Sequence, residues 1–342
     1  MTAALRWGIL GTGNIAGQFC AGVKTARHGT LAAVGSRADD AARAFAKRHL
    51  IPVAHASYEA LIADPNVNAI YVALPNSLHC HWTIQALRAG KHVLCEKPIA
   101  MSAAEAEQMF DEAQKSGRVL MEAFMYRCHP VTAAVLQAAG SGAIGRLRLV
   151  RTSFCFRTRR IDGNVRFARR LGGGALMDIG CYCVNFARLV AGAEPQSISA
   201  TAQMHPSGVD ELVAATLIFP EGLISQFTCS LALQADNTAY LCGDEGYLEI
   251  PMPWKPRPRA KFIVTQGIPP KMDGGSSSGP RRSKPPREIH WINAQAELYA
   301  VEADDFANSV RSGWPPRVSR EDSIGNMRTL DEIRKQIGLS FE

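Results

Sequence analysis

The 342-residue sequence has no apolar run that approaches the roughly 20 residues of a membrane-spanning helix. Its N-terminus lacks the basic, apolar and small-residue succession of a secretory signal, so we expect a cytoplasmic protein. The nine cysteines are scattered, and the closest pair, Cys181 and Cys183, has no companion at zinc-site spacing. We therefore expect no membrane anchor, no disulfide framework and no metal site.

Charge is unevenly distributed along the chain. The net charge is +7, yet residues 146–170 hold nine Arg against one Asp, and residues 255–287 hold nine Lys or Arg against one Asp. Such stretches are compatible with nucleic acid, with a phosphate-bearing ligand or with solubility alone. The aromatic residues of the first stretch are spaced as strand core and not as an exposed stacking row. We therefore expect no nucleic-acid partner.

The first third of the chain alternates short apolar strands with helices. One helix has a capping box, Ser102 and Glu105, at its start and Gly117 at its end. This alternation predicts an α/β fold with a doubly wound parallel sheet in a domain of residues 1–124. The predicted strands are Leu5–Leu10, Leu31–Gly35, Ala69–Leu74, His92–Cys95 and Val119–Ala123.

The rest of the chain, residues 125–342, has several strands in succession without intervening helices. It predicts an α+β domain with an open, mostly antiparallel β-sheet. We interpret residues 267–287, rich in Gly, Ser, Pro and basic residues, as a mobile surface loop. Helices are expected near 296–311 and 320–337. The predicted strands are 148–156, Leu212–Phe219, Leu223–Leu231, Ala239–Cys242, Tyr247–Ile250 and Phe262–Thr265.

A glycine-rich turn follows the first strand and matches the pattern G-x-G-x-x-G/A. In this pattern the glycines let a pyrophosphate approach the backbone, and the following helix offers free N–H groups to that anion. We predict a dinucleotide site here. Its residues are Gly11, Thr12, Gly13, Asn14 and Ile15.

The end of the second strand bears on which dinucleotide binds. An acidic residue usually grips the ribose there when the cofactor lacks a 2′-phosphate. This chain has Ser36 and Arg37 instead, and no carboxylate before Asp39. Because a guanidinium forms charge-assisted bonds to phosphate, the sequence favours NADP over NAD.

Two further segments end strands at the same edge of the predicted sheet, where the nicotinamide should lie. The first contains Leu74, Pro75, Asn76 and His79. The second is the run Glu96–Lys97–Pro98. A lysine directly after an apolar strand is poorly explained as a solvated charge, and it could polarise a substrate oxygen or pass a proton.

The second domain has three consecutive glycines, 172–174, before a predicted helix. On that helix Asp178 and Tyr182 stand four residues apart, and therefore on one face. A carboxylate and a phenol so placed form a binding and acid/base pair for a hydroxyl-bearing substrate.

These motifs together resemble the glucose–fructose oxidoreductase / inositol dehydrogenase family of two-domain NAD(P) oxidoreductases. The resemblance also rests on 125–127, Gly145 and 243–246, and it covers nearly the whole chain. Many members have His where this chain has Tyr182. In that respect it is similar to the branch with NADP-dependent D-xylose dehydrogenase, glucose–fructose oxidoreductase and dimeric dihydrodiol dehydrogenase.

The resemblance implies catalysis by Lys97 and Tyr182, with Asp178 and Arg127 in substrate binding. It also implies a homodimer or homotetramer formed through the second sheet. The expected reaction is hydride transfer between a sugar carbon, C1 of an aldose above all, and NADP. Tyr182 would act as the base, its phenolate favoured by the Lys97 cation.

Three alternatives remain open at this point. The protein could hold NADP tightly, as glucose–fructose oxidoreductase does, or act on a trans-dihydrodiol. From another class, it could be an NADP-sensing regulator without turnover. A regulator has no need of Lys97 or Tyr182, and this favours an enzyme acting on a small molecule.

Overall fold

A computed structural model describes residues 4–267 and 286–341. The N-terminal half is built on a six-stranded, fully parallel sheet with strand order β3-β2-β1-β4-β5-β6. This is the order of a dinucleotide-binding Rossmann sheet, and it confirms the predicted α/β class. The strands are β1 (Leu5–Leu10), β2 (Gly29–Gly35), β3 (Val53–His55), β4 (Ala69–Val72), β5 (His92–Glu96) and β6 (Leu120–Ala123).

Helices cover both faces of this sheet. The capping box is present, because Ser102 Oγ accepts a hydrogen bond from the Glu105 N–H, and Gly117 ends the same helix in the left-handed conformation. The helices are α1 (Asn14–Val23), α2 (Asp39–His49), α3 (Tyr58–Ala63), α4 (His79–Arg88), α5 (Ala103–Ser116), α6 (Met125–Cys128) and α7 (Pro130–Gly140).

The second half contains an eight-stranded sheet with the order β14-β13-β12-β11-β7-β10-β9-β8. All its neighbours are antiparallel except β7 and β10, so the prediction of a mostly antiparallel sheet is confirmed. The strands are β7 (Leu147–Cys155), β8 (Ser197–Met204), β9 (Asp210–Ile218), β10 (Ile224–Ser230), β11 (Ala239–Gly243), β12 (Gly246–Ile250), β13 (Arg259–Gln266) and β14 (Arg287–Asn293).

Three longer helices complete the second half: α8 (Cys181–Ala191), α9 (Leu298–Ser312) and α10 (Arg320–Gln336). Helix α9 packs on α1 and α10 packs on α5, so the last helices bind the two halves together. The division at residue 124/125 stays a prediction. Of the predicted loop 267–287, residues 268–285 lie outside the described residues, and Arg287 already belongs to β14.

One helical stretch, Arg169–Ala191, is long and apolar enough to pass a test for a membrane span, which the sequence alone did not indicate. However, 78% of its most apolar window is buried inside the molecule. Since the core helix of a globular domain passes the same test, we interpret this stretch as core.

Candidate active site and cofactor site

The turn after β1 has the shape that a pyrophosphate requires. Gly11 has a φ of +101°, and a Cβ there would lie 2.7 Å from the Ala73 carbonyl oxygen, so only glycine fits. A Cβ at Gly13 would meet nothing within 4 Å, and this residue begins α1 without a side-chain cap. Exposed N–H groups thus face open space at a helix N-terminus, which fits a bound dinucleotide phosphate.

The end of β2 presents the hydroxyl and the guanidinium from which we predicted NADP binding. Arg37 is exposed there, while Ser36 is mostly buried and its Oγ lies 3.4 Å from the Ala38 N–H. Within residues 36–38 no carboxylate is present to repel a 2′-phosphate. The residues fit NADP at this edge of the sheet.

Lys97 is one of the residues that connect the parallel-sheet part of the molecule to the part with the second sheet. It follows β5, and its Nζ donates to the Asp178 carbonyl oxygen at 2.6 Å and lies 3.3 Å from Asp178 Oδ1. The Lys97 and Asp178 side chains are 12% and 19% exposed, so solvent and ligands can reach the pair. Burial is the largest influence and would lower the Lys97 pKa, but the negative groups around it, Asp178 foremost and Glu96 among them, together raise it.

Asp178 is held by a second cation that sequence reasoning missed. Arg166 Nε donates to Asp178 Oδ2 at 2.5 Å, and its guanidinium lies 5.6 Å from the Phe156 ring centre. Burial would raise the Asp178 pKa, but the charges of Lys97 and Arg166 lower it. Asp178 is therefore a carboxylate at neutral pH. Arg166 lies in the basic stretch 146–170, and the excess of arginine there was the sequence feature that could have indicated its role.

We predicted that Asp178 lies on a regular α-helix, and this is wrong. Residues Leu176–Gly180 form a π-helical turn that leads into α8. Its start is fixed by Asp210, whose Oδ2 accepts from the Leu176 N–H at 2.6 Å, and by Gly174, where a Cβ would lie 2.0 Å from Asp210 Oδ1. Within this turn the Asp178 carbonyl accepts a hydrogen bond from Lys97 Nζ.

Tyr182 adjoins Lys97, but by its ring. The Lys97 Nζ is 5.1 Å from the ring centre, whereas the Tyr182 hydroxyl is 3.4 Å from the sulfur of Met125. Burial and the nearby Glu96 raise the Tyr182 pKa well above 10.0. The expectation that Lys97 favours a phenolate is therefore wrong in this structure, because the cation lies at the ring face and the phenol stays neutral.

Glu96 does not face the cofactor cleft as a free carboxylate. It is 7% exposed, its Oε1 accepts from the Tyr71 hydroxyl, and its Oε2 accepts from the Lys97 N–H at 3.2 Å. Glu96 therefore fixes the backbone of Lys97 through this hydrogen bond. The Lys97–Pro98 peptide bond is cis.

The predicted strand-end residues 74–79 divide into two groups. Asn76 Nδ2 donates to the Gly172 carbonyl at 2.7 Å and thus ties the cofactor edge to the second half. His79 is fully buried, with its ring nitrogens 2.9 Å from the carbonyl oxygens of Leu74 and Pro98. The predicted cofactor contact of His79 is therefore corrected to a structural link between these two loops.

The contacts of Arg127 also differ from the substrate-binding role that the family resemblance implied. Its Nη1 pairs with Asp322 Oδ2 at 2.5 Å and lies 3.1 Å from Asn185 Oδ1, and the side chain is 9% exposed. This residue joins α6 to α10 and is not available to a substrate. The motif showed that an arginine is present but not which way it points.

Comparisons with known proteins agree with this fold. Residues 5–124 match the model of an oxidoreductase family with an NAD-binding Rossmann fold. Residues 132–249 match the model of a GFO/IDH/MocA C-terminal domain. Together the two matches span more than half of the chain.

Three similar proteins cover nearly all of it. The chain is 35% identical to mouse trans-1,2-dihydrobenzene-1,2-diol dehydrogenase, over 99% of this chain and 98% of the relative. It is 34% identical to D-xylose 1-dehydrogenase (NADP(+)) 2 of Haloferax volcanii, over 96% of each. The solved structure of Caulobacter crescentus aldose-aldose oxidoreductase superposes with a TM-score of 0.85 at 27% identity, covering 97% of each chain. The chain therefore belongs to the GFO/IDH/MocA family of dinucleotide-binding oxidoreductases.

Proposed function

We propose that this oxidoreductase uses NADP to interconvert the CH–OH and C=O groups of a sugar, with C1 of an aldose as the principal position and a lactone as the oxidised product. The observation that carries the proposal is the contact of Lys97 with Asp178, which brings an ammonium and a carboxylate to the carboxyl edge of the parallel sheet. NADP, when bound, accepts or returns the hydride.

NADP is proposed over NAD because of Arg37. Its guanidinium is exposed at the end of β2, where a 2′-phosphate would lie. The NADP(+) in the name of the Haloferax relative supports the same choice. Gly11, Thr12, Gly13, Asn14 and Ile15 would hold the pyrophosphate, and Leu74, Pro75 and Asn76 would border the nicotinamide.

The chain's own residues handle the proton. Lys97 is an ammonium and Tyr182 a neutral phenol, so each holds a proton for the oxygen of a carbonyl as it is reduced, and the Tyr182 hydroxyl would exchange its contact with the Met125 sulfur for one with the substrate. In the oxidative direction the substrate hydroxyl loses its proton, so one of these groups must first give up its own. Asp178, as a carboxylate, can accept a hydrogen bond from a neighbouring substrate hydroxyl.

A trans-dihydrodiol is the second candidate substrate. Phe154 and Phe156 are half-buried, and Trp254 stacks on Phe154 at 5.6 Å, close to Tyr182. These rings would pack against an aromatic or cyclic diol better than against a fully hydroxylated sugar. The 35% identity to the mouse dihydrodiol dehydrogenase supports this candidate.

The first experiment is a spectrophotometric scan at 340 nm with NADP and a panel of aldoses, and with trans-1,2-dihydrobenzene-1,2-diol. Reduction of NADP by any member supports an enzyme, and the preferred class decides between the two substrates. Binding of NADP without turnover in either direction would favour the sensor alternative. Mass spectrometry of the purified protein shows whether NADP is released or held tightly.

We also propose that the second sheet pairs subunits. Short side chains, among them Ser199, Thr201, Ala214 and Thr216, line an open concavity of about 400 Å³ across β7–β10. A Thr216→Arg substitution would place a long charge on this face. Sedimentation of the wild type as a dimer or tetramer, and of the variant as a smaller species, would support the proposal.

A cytoplasmic location remains a prediction. All nine cysteines are free, and seven of them are buried, which fits a reducing compartment.

A further inference from the structure

The basic stretch that runs from β7 to the π-helical turn lies beside the proposed catalytic residues. The 3-10 turn Arg169–Leu171 packs against the turn Asn76–Leu78, at the cofactor edge of the parallel sheet. From there the segment passes Arg166, which contacts Asp178. Residues 157–170, with six Arg and a single Asp, thus contact Asp178 and lead to the cofactor edge.

Most of this charge has no acidic partner. Among the ion pairs formed by residues 4–267 and 286–341, Arg166 pairs with Asp178, while four exposed arginines of the segment pair with no carboxylate. These four are Arg157, Arg159, Arg160 and Arg170. Exposed arginines that already had intramolecular partners would be less available to a ligand.

Lys255 brings a further cation from a different part of the chain. It follows Trp254, which is buried, stacks on Phe154 and donates from its Nε1 to the Ser153 carbonyl at 2.8 Å. The Trp254 ring is 6.0 Å from the Tyr182 ring, so the exposed Lys255 directly follows a tryptophan that is anchored beside the proposed catalytic residues.

The positive charges around Lys255 outnumber the negative ones. Burial and the repulsion of Lys97 lower the Lys255 pKa, against the attraction of Glu96 and Asp178. Three cations, Lys97, Arg166 and Lys255, thus interact with at most two carboxylates. A site for a neutral sugar needs no such excess, whereas an anionic ligand would offset it.

We infer that the substrate carries an oxyanion group, phosphate or carboxylate, which Lys255 and the exposed arginines of residues 157–170 bind while its alcohol or carbonyl carbon lies at Lys97. This inference rests on the proposed function, since it names the substrate class of the same site. Lys255 is a specificity-determining residue in this account, and it is not placed in proton transfer.

Three ligands of one scaffold test the inference: D-glucose, D-glucose 6-phosphate and D-glucuronate. Their binding to the NADP-loaded protein is measured by calorimetry, and their turnover with NADP at 340 nm. At least one anionic sugar is expected to bind tenfold or more tightly than glucose, with the advantage reduced in 0.5 M NaCl. The anion that gains identifies phosphate or carboxylate as the recognised group.

The variant Lys255→Met should remove most of this advantage, mainly through KM, and Lys255→Arg should retain it. Lys115→Met, which removes an exposed cation at the end of α5, is the matched control and should leave binding unchanged. Equal binding of the three ligands, or equal loss for all three in Lys255→Met, would overturn the inference. Turnover of neutral substrates in that case would leave the proposed function standing. Failure to bind NADP would contradict the proposed function itself.

Discussion

The Nζ of Lys97 donates to the backbone carbonyl of Asp178 at 2.6 Å, across 81 residues of sequence. Lys97 ends a strand of the parallel sheet, and Asp178 lies in the turn that precedes the central helix of the second half. The contact thus joins the end of the parallel sheet to the π-helical turn. It also helps to keep Lys97 protonated, because the Asp178 carboxylate and the other negative groups nearby together outweigh the cost of burial.

Tyr182→Phe tests the role of the phenol. Because the hydroxyl contacts only Met125 in the protein and is neutral, its loss should lower kcat by about two orders of magnitude, the range for one general acid, and change KM little. Tyr247→Phe, on a strand of the second sheet, is the control. A Tyr182→Phe variant with full kcat would exclude the phenol from proton transfer.

Arg37→Ala tests cofactor choice. Loss of charge-assisted bonds worth about 1.5–3 kcal/mol should raise the KM for NADP by about tenfold or more and leave that for NAD nearly unchanged. The control, Arg48→Ala, removes an exposed arginine from α2. Equal effects on both cofactors would mean that Arg37 does not contact the 2′-phosphate.

The pH dependence of the two directions should differ. Burial and the nearby Glu96 raise the Tyr182 pKa, and the Asp178 carboxylate raises that of Lys97 against burial, so both groups keep their protons at neutral pH. Alcohol oxidation needs one of these protons removed, and its rate should still rise between about pH 7 and 10. Carbonyl reduction should be flat over the same interval. Initial rates at 340 nm in both directions measure this, and a plateau in oxidation near neutrality would contradict it.

Glu122→Gln should make stability less dependent on pH. Glu122 is fully buried, and burial raises its pKa to about 8. Above pH 4.5 the unfolded chain loses this proton while the folded protein keeps it, so the wild type loses stability as pH rises from about 4.5 to 8. Each pH unit in that window costs at most about 1.4 kcal/mol.

The glutamine stays neutral in both states, and its side-chain oxygen can still accept from the Ile99 N–H. Urea unfolding at pH 5 and pH 8 should therefore show an advantage of the variant that grows with pH. Glu59→Gln, at an exposed position of α3, is the control and should show no such trend. An advantage equal at both pH values would contradict the assignment.

Local signals predicted the parts of the fold that have strong periodicity or caps. The sequence indicated five of the six parallel strands, but not β3, which has three residues, Val53–His55, and too few positions for a pattern. It also missed β8, whose apolar face is a regular alternation but a weak one, since two of its four residues are alanine. Strand β14 was missed because basic residues and prolines precede it.

The candidate site was predicted less completely, because sequence position gives the edge of a sheet but not the direction of a side chain. Lys97 lies beside Asp178 and beside the ring of Tyr182. His79 and Arg127 share that region but turn into the protein, toward backbone carbonyls and toward Asp322. Lys255 follows Trp254, whose packing beside Tyr182 no local motif reveals.

The most direct test of the account is Lys97→Met, assayed at 340 nm with NADP and the best substrate while NADP binding is titrated by fluorescence. We predict that turnover falls below detection in both directions and that the Kd for NADP changes less than about threefold, since Lys97 contacts Asp178 and not the pyrophosphate turn. Undiminished turnover by this variant, with NADP bound as in the wild type, would contradict the central claim.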